Sequence, residues 1–342
     1  MFLGGEEHRN LLETAAGRPA YAPWNRLGKH LADDSFIHQH IDMVKHLQYL
    51  DVHEINRKKF TVVADCINGA GGRIVPQLLR SLGCRVIEMN CDVSGVFSRT
   101  PEPLPENLGD LCLRVQEEKA DFGLAVDPDV DRLVLITEKG EPFGEEYTIT
   151  SVVKFVLGRR LPAAGDIPTV VVNLSTTRAV DDVAGSFGAR VVRTPVGEIN
   201  VAGKMKETGA LVGGEGSGGV ILPAVHYGRD AVVGIGLIVQ QLAEFGGTLS
   251  ELKASLPQYA IAKMKVAFDD RSPKGLLDAV KARHGQNGNV NTEDGLKLNF
   301  TDSWVHLRIS NTEPAIRIIA EAPTSGEARS LAEKFRSEIP SV

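Results

Sequence analysis

Thr61-Val-Val-Ala-Asp65 and Thr169-Val-Val-Val-Asn173 are one phrase written twice. Each is a short β-branched run, which predicts a strand buried on both faces. After the first, Gly69, Gly71 and Gly72 make a turn, residues 74–82 carry helical periodicity, Gly83 stops the helix and 85–89 reads as a second strand. After the second, Ser175-Thr-Thr177 makes the turn, 180–187 the helix, Gly188 the stop and 190–193 the strand. Strand–helix–strand order with short turns predicts a right-handed crossover and parallel pairing.

Both copies continue alike. A strand at 120–126, a polar loop at 127–132, a strand at 133–137 and a helix at 147–157 come next in the first. In the second, 210–212 leads into a glycine-rich loop at 213–219, then 220–222 and a helix at 229–245. A hairpin after such a unit predicts a mixed sheet with one antiparallel edge. From residue 257 onward the pattern changes to two helix-like stretches and two strands, 304–309 and 315–320. The expected fold class is therefore α/β: tandem repeated α/β domains with mixed sheets plus a small C-terminal α+β domain. The first 48 residues offer a short strand at Phe2-Leu3 and a helix at 36–47, as if the chain began halfway through a third copy.

Composition narrows the function. A length of 342 residues suits two to three domains. Lys and Arg total 38 against 44 Asp and Glu, a net charge of −6, so no basic field exists for nucleic acid or an anionic membrane. The longest apolar run, 231–239, is too short to span a bilayer, and Glu6, Glu7 and Arg9 interrupt any signal peptide. Cys66, Cys84, Cys91 and Cys112 lack CxxC spacing and read as free thiols in a reducing compartment. The expected setting is the cytoplasm.

Three loops carry chemistry. Asp127-Pro-Asp129-Val-Asp131-Arg132 sets three carboxylates at alternate positions after a buried strand, where they repel unless a hard cation such as Mg²⁺ sits between them. An acidic turn is the bland reading. An EF-hand begins similarly, but Arg132 stands where its glycine is needed, and a phosphatase with an Asp nucleophile would want Thr or Val at 131. Gly213-Gly-Glu215-Gly-Ser217-Gly-Gly219 lets a ligand approach the backbone while Glu215 and Ser217 hydrogen-bond hydroxyls, which suits a sugar; a flexible hairpin tip competes. Arg308-Ile-Ser310-Asn311-Thr312-Glu-Pro314, with Arg317, makes an anion cradle for a phosphate; a proline-capped turn competes.

Weaker signals remain. Thr194-Pro-Val-Gly197-Glu198 is a glycine turn after a strand. His226-Tyr-Gly-Arg229-Asp230 either caps a helix with Asp230 or offers Arg229 to a phosphate. His38, His40 and His46 read as a helix surface without metal, and Trp24 and Trp304 as packing residues.

Together, AVDPDVDRL, GGEGSGG and RISNTEPAIR, in this order on these elements, resemble the α-D-phosphohexomutase superfamily, as does the phrase Pro101-Glu-Pro-Leu-Pro-Glu-Asn107. The resemblance implies four domains, placed here at 1–48, 49–157, 158–259 and 260–342, with the second boundary in the Gly-, Pro- and Ala-rich stretch 158–168. It implies a mutase that moves a phosphoryl group between C6 and C1 of a hexose phosphate (phosphoglucosamine, phosphomannose or phosphoglucose). The carrier is a phosphoserine and the intermediate a bisphosphorylated sugar. By resemblance, Asp127, Asp129 and Asp131 would hold Mg²⁺, and Arg132 would assist on the same phosphoryl group. Glu215 and Ser217 would take sugar hydroxyls. Arg308, Ser310, Asn311, Thr312 and Arg317 would take the phosphate not being transferred, with Gly197 and Arg229 as further substrate contacts. A homodimer is allowed.

This sequence departs from the pattern in three places. Pro128 stands where most members have Gly, and Gly219 where a His is common. No segment resembles the family's Thr-Ala-Ser-His-Asn-Pro serine loop, and Met1-Phe-Leu-Gly4 is similar to family sequence lying just C-terminal to that loop. The expectation is an N-terminally truncated mutase that is inactive alone. A non-catalytic sugar-phosphate and Mg²⁺ binding protein is the alternative.

Overall fold

The computed structural model describes residues 3, 5–17, 20–159, 167–267, 273–285, 289–310 and 314–339. The chain enters through three helices, α1 (Gly5–Ala16), α2 (Ser35–Lys45) and α3 (Val52–Lys58). Of the strand expected at Phe2-Leu3, Leu3 lies outside any strand and Phe2 outside the described residues. Helix α1 was not expected, because its residues 6–16 are all exposed and no burial pattern marks it. Trp24 is not a packing residue: 85% of it faces solvent.

Next comes the first repeat, a four-stranded sheet in the order β2-β1-β3-β4. Its members are β1 (Thr61–Asp65), α4 (Gly71–Ser81), β2 (Arg85–Met89), α5 (Gly109–Glu117), β3 (Phe122–Val126), β4 (Leu133–Thr137) and α6 (Glu145–Gly158). The apolar run of β1 pairs in parallel with β2 and β3, and β3 turns back antiparallel into β4. The second repeat holds β5 (Thr169–Asn173), α7 (Ala179–Ser186), β6 (Arg190–Thr194), α8 (Glu198–Thr208), β7 (Val212–Glu215), β8 (Gly219–Ile221), α9 (Ala231–Phe245) and α10 (Leu249–Ala254). Its order β6-β5-β7-β8 and its strand directions repeat the first. The glycine-rich stretch is mostly strand: only 216–218 remain as the turn.

One large core joins both repeats to α2 and α3. Ile41 and Val44 of α2, Phe122 and Leu124 of β3, Val170 and Val172 of β5, and most of α9 belong to it. Helix α9 is apolar on every side from Ala231 to Val239, as suits a helix buried between layers, and its buried Gln240 and Gln241 are hydrogen-bonded. The C-terminal unit has a separate core. Five antiparallel strands run in the order β10-β11-β12-β13-β9, comprising β9 (Ala260–Ala267), β10 (Asn289–Asn291), β11 (Leu296–Asn299), β12 (Trp304–Ile309) and β13 (Ala315–Ala322). Helices α11 (Pro273–His284) and α12 (Ser325–Glu338) complete it. The two expected strands were correct but undercounted. Among the described residues, no helix is long and apolar enough to cross a membrane.

Candidate active site

The carboxyl ends of parallel strands open toward one side of each mixed sheet, which is where such folds bind ligands. Here the loops at those ends meet β9, β12 and β13 across a cleft of about 570 Å³. Arg132, Glu215, Ser217, Arg229, Arg308 and Arg317 all line it, although they come from three different sheets.

The acidic loop is closed by its own first residue. Asp127, 1% exposed, accepts hydrogen bonds on Oδ1 from the backbone nitrogens of Asp131 and Arg132, both at 3.0 Å. Its Oδ2 and Asp131 Oδ1 are buried without a hydrogen bond; Arg132 Nε lies 2.8 Å from the former but is not aimed at it. Burial and the neighbouring Asp131 push the Asp127 carboxyl up to about 7. Asp127, Asp129 and Asp131 each bring one carboxylate oxygen within 4.8 Å of the others. Orphaned buried oxygens in mutual repulsion, with no nitrogen or sulfur in the set, fit a hard divalent cation.

Arg229 ties this loop to the sugar-type loop. It donates from Nη1 to Glu215 Oε2 at 2.6 Å and from Nη2 to Asp131, and its backbone nitrogen donates to Glu198. The other oxygen of Glu215 accepts from Gly197 N at 2.9 Å and Asn173 Nδ2 at 2.8 Å, so the Gly197 turn orients that carboxylate. The hairpin tips also touch directly: Leu133 N donates to Gly218 O, Arg132 bridges to Gly219, and Ala231 N donates to Val130 O. Gly218 has φ +89°, and a Cβ there would come 2.4 Å from Leu133 O. A Cβ on Gly219 would come 2.4 Å from Arg229 Cδ.

Asp230 is the N-cap of α9, accepting from the backbone nitrogens of Val232 and Val233. Its other oxygen lies 2.8 Å from His40 Nε2 and 2.9 Å from His226 Nε2. His40 thus turns inward and is not a surface residue of α2. Gly228 N donates to His226 Nδ1, so the proton of that ring sits on Nε2 and points at Asp230. This trio is a hydrogen-bonded clasp. Although burial opposes ionisation, the two histidines hold the Asp230 carboxyl below its usual range.

The opposite wall comes from the C-terminal sheet. Arg308 and Arg317 sit opposite each other in the β12–β13 register, and Arg308 Nε donates to Asp294 Oδ2 at 2.7 Å. Ser310 closes the end of β12, donating from its backbone nitrogen to Ala315 O. Asn311 and Thr312 lie outside the described residues.

Sequence reading missed several cleft residues: Asn173 and Ser175, Glu146, and Lys263 with Lys265 on β9. The first two stand at the carboxyl end of a parallel strand, a position that flags ligand contact. Glu146 had no signal; it reaches the cleft because α6 runs behind it, and burial pushes its carboxyl up to about 8.

Known families match this arrangement. Three family models cover most of the chain: phosphoglucomutase/phosphomannomutase α/β/α domain II over residues 38–140, domain III over 149–259 and the C-terminal domain over 264–338. The chain belongs to the α-D-phosphohexomutase superfamily. Phosphohexomutases are isomerases that work by phosphoryl transfer. A protein of Methanopyrus kandleri named "probable phosphoglucosamine mutase" is 34% identical over 98% of this chain and 72% of its own length. A phosphoglucomutase/phosphomannomutase of Thermococcus kodakarensis is 37% identical over 90% of this chain and 66% of its own length. Among solved phosphohexomutase structures, a phosphoglucomutase/phosphomannomutase family protein of Burkholderia thailandensis superposes with TM-score 0.74 at 26% identity, covering 88% of this chain and 63% of that one. The chain therefore spans about two thirds of the length of these relatives.

Proposed function

We propose that this chain builds the metal, sugar and phosphate sites of a phosphohexomutase that interconverts the 6- and 1-phosphates of a hexose, by way of a phosphoserine and a bisphosphorylated sugar. The observation that carries this reading is the convergence on one cleft of a cationic wall, Arg308 and Arg317, with a carboxylate–hydroxyl pair, Glu215 and Ser217. Arginines recognise phosphate by charge-assisted bonds, and a carboxylate can accept from sugar hydroxyls but repels phosphate. Asp127, Asp129 and Asp131 would hold Mg²⁺, which supplies neutralisation of charge on the transferring phosphoryl group when bound. Arg132, beside that loop, would steady the same group, and Arg229 and the Gly197 turn would keep Glu215 in its pose. Ser310, Asn311 and Thr312 complete the phosphate cradle in this reading. We further propose domain divisions after residues 48, 157 and 259, a cytoplasmic setting and a homodimer.

The substrate class is a hexose phosphate of the phosphoglucosamine, phosphomannose or phosphoglucose type. Calorimetric titration with glucosamine 6-phosphate and glucose 6-phosphate in Mg²⁺ tests it. Binding is expected, weakened by about 2 kcal/mol in Arg308→Ala, as for loss of a charge-assisted bond. Absence of binding by the wild-type chain refutes the reading. Phosphorus NMR with a hexose 1,6-bisphosphate primer then separates a mutase from a protein that only binds.

A further inference from the structure

The turn after β5 is gripped from several sides. Asn173 Oδ1 accepts from Ser175 N at 2.9 Å, and Arg193 donates to the carbonyls of Asn173 and Thr176 at 3.1 and 2.8 Å. Lys297, from the C-terminal unit, donates to Leu174 O. A side chain on such a turn has little freedom, and Ser175, like Asn173 before it, opens into the cleft. Its Oγ lies 2.9 Å from Nδ1 of His306, a fully buried residue of β12.

The protons in this contact can be assigned. His306 Nε2 lies 2.6 Å from the backbone carbonyl oxygen of Asp294, an atom that can only accept. Nε2 therefore carries hydrogen. Burial, outweighing the contact with Asp294, holds the imidazole below its ordinary value, down to about 4, so near neutral pH it has one proton only. Nδ1 is then a bare lone pair, and the hydroxyl of Ser175 must donate to it. A serine hydroxyl has one proton to give. With that proton committed, Ser175 faces the cleft purely as an acceptor.

We propose that Ser175 is a sugar-binding subsite that accepts a hydrogen bond from a hydroxyl or ammonium group of the hexose, held in that role by His306 across the junction of the second repeat and the C-terminal unit. An ionised phosphate offers only acceptor oxygens and gains nothing from it. The subsite thus favours the sugar edge over either phosphate at this point of the cleft. It rests on the hexose-phosphate reading given above and adds a named contact to it.

Two measurements test this. In nitrogen-15 spectra of the histidine rings near pH 7, with His306 assigned from His306→Gln, Nδ1 should show the unprotonated shift and Nε2 the protonated one. The reverse pattern overturns the proposal. Calorimetry on Ser175→Ala should show glucose 6-phosphate and glucosamine 6-phosphate binding roughly three- to tenfold more weakly, as for one lost hydrogen bond. Inorganic phosphate should bind that variant as it binds the wild type, which also shows the cleft to be intact. Equal weakening of inorganic phosphate would make Ser175 a phosphate ligand, and unchanged sugar-phosphate affinity would make it a bystander; either result overturns the subsite. Wild-type protein that takes inorganic phosphate but no hexose phosphate refutes the proposed function itself.

Discussion

Glu146 offers a test in which pH is the variable. Its side chain is 12% exposed at the back of the cleft, and its Oε2 accepts from Thr177 N at 3.0 Å. Burial is the main reason its carboxyl rises from the ordinary 4.5 to about 8, against the opposing pull of Lys263. The unfolded chain gives up this proton near pH 4.5 and the folded chain keeps it to about 8. The folded state therefore holds one more proton across that window, and stability falls as pH rises through it. At about 1.36 kcal/mol per pH unit, the cost reaches about 3 kcal/mol at pH 7. Glu146→Gln keeps an oxygen for Thr177 N and cannot ionise. It should be more stable than wild type by about 3 kcal/mol at pH 7 and by less than about 1 kcal/mol at pH 5. Urea unfolding monitored by circular dichroism at pH 5, 6, 7 and 8 measures the gap. A gap of constant size, or a variant less stable at pH 8, would refute the reasoning.

Other expectations come from the same geometry. Mg²⁺ at a hundredfold its dissociation constant should stabilise the chain by about 2.7 kcal/mol, visible as a raised melting temperature, and Asp129→Asn should remove most of that rise; an undiminished response would reject the acidic loop as the site. Arg229→Ala leaves Asp131, Glu215 and Glu198 facing one another and should cost about 3 kcal/mol in urea unfolding. An unchanged midpoint would mean that Arg229 does not clasp the loops. Gly218→Ala places a Cβ against Leu133 O at a left-handed backbone position and should cost about 1–3 kcal/mol, again read by unfolding.

What could be read from the sequence was what short range determines. Runs such as Thr169–Asn173 are buried on both faces, so their composition alone marks them, and the repeat gives their pairing twice over. The acidic loop was legible because its three carboxylates lie within five residues. Strand β9 was not, since its lysines alternate with half-buried residues and resemble a surface segment. Neither was the contact of Ser175 with His306, which are 131 residues apart and meet only when the C-terminal unit docks. His40 was misread for the same reason: Asp230 comes from the start of α9, far along the chain.

The close approach of residues 219 and 229 couples the sizes their side chains can have. An arginine at 229 uses the volume that any side chain at 219 would need, so a lineage that acquires bulk at the first position has to surrender the arginine, or its present pose, at the second. With it would go the charge that holds Asp131 and Glu215 together, and some other cation would have to take over. Sequences of this superfamily should sort into those that are small at 219 with a long cation at 229 and those that reverse the sizes.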